Sequence, residues 1–239
     1  MEYHLDFLSI TNLSMKFLLI FFVCLTSYHS KSQNLISNPS FEDSSINVWS
    51  SPLSKCFYGV PRICSKFDIN GSSIEFDAQH GNKCLYLSLF QCYTSWSEFI
   101  NHSIPKLIKG KKYTISFYIT PDDSTGYFSK RIDFLACDSN YFYQNIACST
   151  YGKISLTPTL SFDISRFKNT GQQGKWFFIS GEFIANGDEN FISIGRVTKK
   201  GARDISTRIF HYKPSKRQLE EQFCAADYYL DNFSLILNE

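Results

Sequence analysis

Hydrophobic and polar residues alternate with a period of two along much of this chain. Between residues 112 and 119 every second position is apolar, at Tyr113, Ile115, Phe117 and Ile119. Successive side chains of a β-strand point to opposite faces, so this alternation indicates a strand with one buried face. Similar alternation, or a high content of aromatic and β-branched residues, predicts the other strands: 83–90, 97–103, 130–136, 154–160, 176–184, 191–195, 206–212 and 227–237.

Turn-forming residues separate these segments. Asn186-Gly187 stands between 176–184 and 191–195, and because this dipeptide readily takes the positive φ angles of a tight turn, it predicts a hairpin. Only 215–223 has the composition of a helix. Short strands separated by turns, with one short helix, predict an all-β fold, and we expect an antiparallel β-sandwich.

The N-terminal residues have the pattern of a secretory signal. Lys16 precedes nine consecutive apolar residues, 17–25, and small polar residues follow. Such a signal has an apolar run of about 7–15 residues, whereas a membrane-spanning helix needs about 20. We therefore expect residues 1–32 to be a cleaved signal peptide, with Met15 as an alternative start; the other interpretation is a buried core helix. Residues 33–239 then form one domain exported to the periplasm, the cell surface or the medium.

Charge and motif content argue against several classes of function. The chain has 24 Lys and Arg against 22 Asp and Glu, a net charge of +2, and no long basic tract of the kind that binds nucleic acid or a membrane surface. The exported part has no apolar run that approaches membrane length. It also lacks the H-E-x-x-H, G-x-S-x-G and phosphate-loop patterns of common enzymes. We therefore expect a protein that is not an enzyme.

The cysteines indicate disulfides. Seven of the eight lie beyond residue 32, and none forms the C-x₂-C pairs of a metal site. In an exported protein the default state of such cysteines is a disulfide, and an odd number leaves at least one thiol over or shared between chains. Cys84 and Cys92 cannot pair along one continuous strand, because eight residues span about 26 Å. Cys64 could close a loop with Cys56, Cys137 could join Cys148 across a hairpin, and the other pairings stay open.

Two sequence motifs resemble a known family. The opening segment Asn34 to Glu42 reads NLISNPSFE and is followed by Trp49, and the closing segment Tyr228 to Leu235 reads YYLDNFSL. Together they resemble jelly-roll, galactose-binding-like carbohydrate-binding modules of secreted and surface proteins of Bacteroidetes-type bacteria. The resemblance implies a jelly-roll β-sandwich whose function is binding, with the ligand determined by variable loops.

The same resemblance implies a structural calcium ion. In the family's architecture the first and last strands lie close together, so Glu42 and Asp231 would both point toward the loop at Gly81-Asn82. Carboxylate and carbonyl oxygens are the ligands that Ca²⁺ prefers. Glu42 and Asp231 are then the expected side-chain ligands, with Ser40 and Lys83 as carbonyl donors. The alternative is that the two carboxylates only accept backbone hydrogen bonds at strand ends.

The expected ligand site lies where the resemblance lapses, between residues 121 and 151. Sugar rings stack on exposed aromatic rings, and sugar hydroxyls need fixed polar partners. Aromatic residues are interleaved with charged ones in this segment, and Trp96 lies in a turn-like stretch before it. The candidate ligand-binding residues are Trp96, Tyr127, Phe128, Arg131, Asp133, Tyr141 and Tyr143. The alternative for Tyr141 to Tyr143 is an ordinary strand with alternate rings in the core.

These observations together predict a secreted, non-catalytic module that recognises a carbohydrate and is stabilised by calcium. The alternative is a cell-surface adhesion or assembly component whose sandwich binds a protein partner. The choice between them depends on the surface that the fold presents.

Overall fold

A computed structural model describes residues 33–43, 49–50, 62–65, 76–91, 98–139, 156–196, 205–207 and 225–238. Residues 34–239 form one compact unit. The predicted signal peptide, 1–32, and the predicted helix, 215–223, lie outside the described residues. Within them, no helix is both long and apolar enough to cross a membrane.

The described strands form two five-stranded sheets and one two-stranded sheet, and every pairing is antiparallel. The front sheet has the order β1-β4-β10-β7-β8, the back sheet has the order β2-β3-β12-β5-β9, and β6 pairs with β11. The strands are β1 Trp49–Ser50, β2 Arg62–Ser65, β3 Lys83–Gln91, β4 Phe99–Ser103, β5 Lys112–Pro121, β6 Tyr127–Ser129, β7 Arg131–Cys137, β8 Leu160–Asp163, β9 Phe177–Ile184, β10 Phe191–Gly195, β11 Ile205–Thr207 and β12 Ala225–Leu237. A 3₁₀ helix, Ser165–Lys168, follows β8. The predicted antiparallel β-sandwich is confirmed.

Alternate side chains of the two large sheets meet in one hydrophobic core. Ile115 and Phe117 of β5 are fully buried, as the period-two pattern predicted. Rings from opposite sheets make direct contact: Phe134 of the front sheet lies 5.3 Å from Phe183 of the back sheet, centroid to centroid. Trp49 is also buried and packs on Phe233 of β12 at 5.0 Å. The core therefore joins the first described strand to the last.

The predicted hairpin between 176–184 and 191–195 is wrong. The two strands exist, as β9 and β10, but β9 pairs with β5 in the back sheet and β10 pairs with β4 and β7 in the front sheet. The Asn186-Gly187 turn therefore carries the chain from one sheet to the other. Both carboxylate oxygens of Glu189 accept backbone N–H groups of this turn, at 2.7 and 2.8 Å, which holds the crossing in place.

The strand predicted over 154–160 is displaced along the chain. The observed strand, β8, begins at Leu160, and the described residues before it are not extended into the sheet. Pro158 has no N–H to donate to a strand ladder. Thr159 instead pairs with β7 through its side chain, since its hydroxyl accepts the N–H of Ala136 at 2.9 Å. Regular pairing starts only after this contact.

Candidate functional site

The opening segment is fixed along the last strand of the back sheet. The side chain of Asn34 accepts the N–H of Leu235 at 2.9 Å and donates to the carbonyl of Phe233 at 2.9 Å. The N–H of Leu35 donates to the carbonyl of Leu235 at 2.9 Å. The side chain of Asn34 thus makes two hydrogen bonds to residues of the closing strand that lie 199 and 201 positions later in the sequence. The two motifs that carried the family resemblance are therefore in contact.

Two carboxylates at this junction bind the same short loop, 79–83. Glu42 accepts the backbone N–H groups of Asn82 and Lys83, both at 2.7 Å and both on its Oε1 atom. Asp231 accepts the N–H of His80 at 2.8 Å on its Oδ2 atom. The placement that the resemblance implied, with both carboxylates facing the loop at Gly81, is what the structure shows.

Asp231 sits at a break in the register of β12. The pairing of β12 with β5 shifts between Asp231 and Ser234, and Asn232 has a positive φ of 51°. This bulge lets the Oδ1 atom of Asp231 accept the N–H of Asn232 at 2.6 Å while the side chain stays fully buried. Burial raises the pKa of Asp231 to about 7, and the charge of Glu42 adds to the rise although backbone hydrogen bonds oppose it.

Gly81 is required between the two carboxylates. Its φ is +69°, a conformation that residues with a side chain rarely adopt. A Cβ atom at this position would also lie only 2.4 Å from Oε1 of Glu42. The glycine therefore allows the loop to present its N–H groups to Glu42 at close range.

Calcium binding at this carboxylate pair stays a prediction; the contacts that the structure shows are those of the alternative, in which both carboxylates accept backbone N–H groups. Glu42 is exposed, and its charge helps to raise the pKa of the buried Asp231, so a cation between them would relieve repulsion. The Lys83 ammonium donates to the Glu42 carbonyl at 3.1 Å, and Ser40 is buried beside the segment. Among the described residues no group of three or more His, Cys, Asp or Glu side chains could hold a metal. Carbonyl oxygens would therefore have to supply the remaining ligands.

The predicted glycan-binding residues that the structure describes are shielded from solvent or packed on neighbours. Asp133 is fully buried; it accepts the Ser161 hydroxyl at 2.6 Å and lies 3.7 Å from the Arg131 guanidinium. Phe128 is 5% exposed, and the Tyr127 ring packs on Phe90 at 5.8 Å. The role of these residues in ligand binding stays a prediction. The other predicted residues, Trp96, Tyr141 and Tyr143, lie outside the described residues.

Arg131 and Asp133 belong to the outer face of the front sheet, which is closed. Asn101 and Ser193 lie directly opposite each other on this face, and both are fully buried. Within the described part of the chain, the side-chain polar atoms of Asn101 and Ser193 have no hydrogen-bond partner.

The outer face of the back sheet is open along β5 and β9, and the sequence did not point to it. Four pairs of residues face each other there across β5 and β9, and one of them is Lys112 opposite Ile184. We call the other three the hydroxyl strip: Tyr118 opposite Phe178, Ser116 opposite Ser180, and Thr114 opposite Glu182. Phe178 is 55% exposed although it is a large apolar residue, and its ring leans on Tyr118 at 5.2 Å with a tilt of 56°.

Polar contacts order one end of the hydroxyl strip. Glu182 forms an ion pair with Lys112 at 3.1 Å and accepts the side-chain amide of Asn238 at 3.1 Å. The Thr114 hydroxyl donates to the amide oxygen of Asn238 at 2.9 Å. The strip therefore has an aromatic pair at one end, two serine hydroxyls in the middle and a hydrogen-bonded polar group at the other end. A weak signal for it was present in the sequence, since Phe178 is an apolar residue on the polar phase of its strand.

The comparisons with known proteins give a likeness of fold. No family model matches the chain, and no curated protein matches it. The CBM22-1–CBM22-2 tandem domain of Xyn10C from Paenibacillus barcinonensis is similar over 87% of this chain, with a TM-score of 0.46 and 13% identity. That match covers 47% of the tandem domain, so this chain spans about half its length.

Two single domains are similar over nearly their whole length. The CBM22-1 xylan-binding domain of the same Xyn10C has a TM-score of 0.41 and 14% identity, and the match covers 86% of this chain and 95% of that one. The K3 cleaved adhesin domain of Lys-gingipain from Porphyromonas gingivalis W83 has a TM-score of 0.45 and 13% identity, with 84% and 97% covered. Identity at this level concerns the fold, and the ligand has to be argued from the side chains of this chain.

Proposed function

We propose that this protein is an exported, non-catalytic module that binds a carbohydrate on the hydroxyl strip of its back sheet. The observation that carries the proposal is the exposed ring of Phe178, supported by Tyr118 and followed along the sheet by the hydroxyls of Ser116 and Ser180. Ring and hydroxyls lie on one open face, in successive cross-strand pairs.

The chemistry of a sugar matches this arrangement. One face of a pyranose ring carries C–H groups that pack on an aromatic ring, while its hydroxyls exchange hydrogen bonds with fixed polar groups. The strip offers both within β5 and β9, two strands paired over eight residues each. Groups held on rigid strands lose little conformational freedom on binding, so more of the contact energy appears as affinity.

The hydroxyl strip contains a single acidic residue, and this supports a binding role without catalysis. Hydrolysis of a glycosidic bond uses two carboxyl groups about 5–9.5 Å apart across the scissile bond. Glu182 is the one carboxylate of the hydroxyl strip, and it is already engaged with Lys112 and Asn238. The strip therefore supplies contacts for a sugar without supplying an acid and base pair.

The test is a glycan array probed with the full chain after its natural processing, followed by calorimetric titration of the strongest hit. Phe178→Ala should weaken binding about tenfold or more, because it removes a stacking ring. Ile184→Ala is the matched control, since Ile184 is 65% exposed on the same strand and lies beyond the strip. Silence across the array, or equal losses in the two variants, would overturn the proposal.

A protein partner is the second candidate function. The observation in its favour is the position of β9 at the edge of the back sheet, where Phe178 and Ile184 are both exposed. An edge strand can pair with an added strand of a partner, with exposed side chains setting the specificity. A surface protein bound in this way would be weakened by Ile184→Ala as much as by Phe178→Ala. The two variants therefore separate the two functions.

Export is part of the proposal and rests on the sequence of residues 16–25. N-terminal sequencing of the protein recovered from outside the cytoplasm tests it directly. A mature chain that begins near Gln33 is the expected result. A chain that retains residues 15–32 in the cytoplasm would contradict the proposal.

A further inference from the structure

Two cysteines face each other across the edge of the back sheet. Cys64 of β2 and Cys84 of β3 are directly opposite in the antiparallel register. Opposite residues of an antiparallel pair have Cα atoms about 4.5–5.5 Å apart, and their side chains share one face of the sheet. A disulfide needs Cα atoms about 4.4–6.8 Å apart, so the register meets the requirement of a bridge.

The surroundings of the two side chains agree with this pairing. Cys64 is 6% exposed and Cys84 is fully buried, and both pack with Tyr229 in one small cluster on the outer face of the back sheet. Phe76 and Trp176 cover the cluster. Both cysteines are thiols in this structure. Among the cysteines of the described residues, Cys64 and Cys84 are the two that lie opposite each other, and they share one cluster of aromatic rings.

We propose that Cys64 and Cys84 form a cross-strand disulfide that fastens β2 to β3. This assigns one pair among those that the sequence left open, and it excludes the pairing of Cys64 with Cys56. The proposed disulfide is independent of carbohydrate binding. It depends on the proposed export in one respect, since export would bring the protein into an oxidising compartment.

The oxidant is a disulfide, either a small-molecule disulfide or that of a thiol oxidase. The thiolate of one cysteine attacks the oxidant disulfide, breaks its S–S bond and releases one thiolate. The second cysteine then attacks the mixed disulfide, forms the bond between Cys64 and Cys84 and releases the other half of the oxidant. Two electrons pass from the cysteines to the oxidant, and the two protons that the cysteines lose go to the released thiolates.

The order of events follows from burial. Cys84 is fully buried and Cys64 is only 6% exposed, so an oxidant has little access to either sulfur in the native state. The bridge therefore forms before β2 docks against β3, or while this four-residue edge strand is open. Once formed, it is protected from reductants by the same burial.

The bridge would also hold the carboxylate junction. Cys84 follows Lys83, whose N–H donates to Glu42, at the start of β3. The next residue, Leu85, pairs with Leu230, which precedes Asp231 on the neighbouring strand β12. Fastening β3 to its edge neighbour restrains the loop that both carboxylates bind. A disulfide at this place therefore connects the edge of the back sheet to the contact between the two ends of the chain.

Peptide mapping tests the pairing. The full chain is produced with export, alkylated without reduction and digested with trypsin and chymotrypsin together. Trypsin cuts at Arg62 and separates Cys56 from Cys64, and chymotrypsin cuts at Phe90 and separates Cys84 from Cys92. The expected product is a fragment of residues 63–66 linked to a fragment that contains Cys84. Alkylated Cys64 and Cys84, or Cys64 linked to any other cysteine, would overturn the proposal.

Thermal unfolding tests the consequence. Closing a loop of about 20 residues should make the melting temperature of the oxidised protein fall by about 5–10 °C on reduction. The double variant Cys64→Ala/Cys84→Ala should lose most of this response to reductant. Cys137→Ala is the control, because Cys137 is a buried thiol of the front sheet whose opposite residue is Phe191; it should respond as the wild type does. An equal response of the double variant and the wild type would contradict the bridge.

Because the mapping and the unfolding need no carbohydrate, their failure is distinct from a failure of the proposed function.

Discussion

Acidification from pH 7.5 to pH 5 should stabilise this protein through Asp231. Its folded pKa of about 7 lies above the value of about 3.9 that an aspartate has in an unfolded chain. The folded state therefore binds the proton more tightly than the unfolded state does. Stability from this proton is fully present below about pH 4 and is lost as the pH rises through about 7.

The magnitude follows from the difference of about three pKa units. At about 1.4 kcal/mol per unit, the whole effect is about 4 kcal/mol. Between pH 7.5 and pH 5, where Asp231 becomes protonated only in the folded state, the free energy of unfolding should rise by about 2.5 kcal/mol. In a domain of this size that corresponds to an increase of about 5–10 °C in melting temperature.

Urea denaturation at a series of pH values measures the effect, with Asp231→Asn as the test variant. The amide matches protonated aspartate in shape and charge, so the variant should lack this part of the pH dependence. Asp163→Asn is the matched control: hydrogen bonds from Ser165 lower the pKa of the exposed Asp163, so its contribution is lost only as the pH falls below about 4. Equal slopes for the wild type and Asp231→Asn between pH 5 and pH 7.5 would refute the reasoning.

Three further predictions concern the same junction and the core. Calcium added to chelator-stripped protein at pH 8 should raise the melting temperature, less so at pH 5 where Asp231 is protonated; calorimetry that shows no heat, together with no rise, would end the calcium prediction. Gly81→Ala should cost about 1–3 kcal/mol in urea denaturation, because its φ is +69° and a Cβ would meet Glu42; an unchanged midpoint would contradict the requirement for glycine. Phe233→Ala should cost about 3–5 kcal/mol because Phe233 is fully buried, whereas Phe178→Ala on the surface should change stability by under about 1 kcal/mol; similar losses in the two variants would count against the assigned core.

The sequence determined much of the local structure. Because successive residues of a strand alternate between faces, the pattern of residues 112–119 identified both the strand β5 and its buried side, including Ile115 and Phe117. The two end motifs also located the junction of Glu42 and Asp231 at the loop that follows Gln79. These features depend on neighbouring residues or on a motif, and both can be read along the chain.

Only the tertiary structure decided which strands are neighbours and which side chains remain open. The turn at Asn186-Gly187 looked like a hairpin, yet β9 and β10 joined different sheets because each found partners far away in the sequence. The same long-range pairing buried Asp133, exposed Phe178 and set Cys64 opposite Cys84. Alternation tells which residues share a face but contains no information about what covers that face. The packing of distant segments on each face supplies that information, and register between distant strands places residues side by side. Together they produced the candidate binding surface and the proposed disulfide.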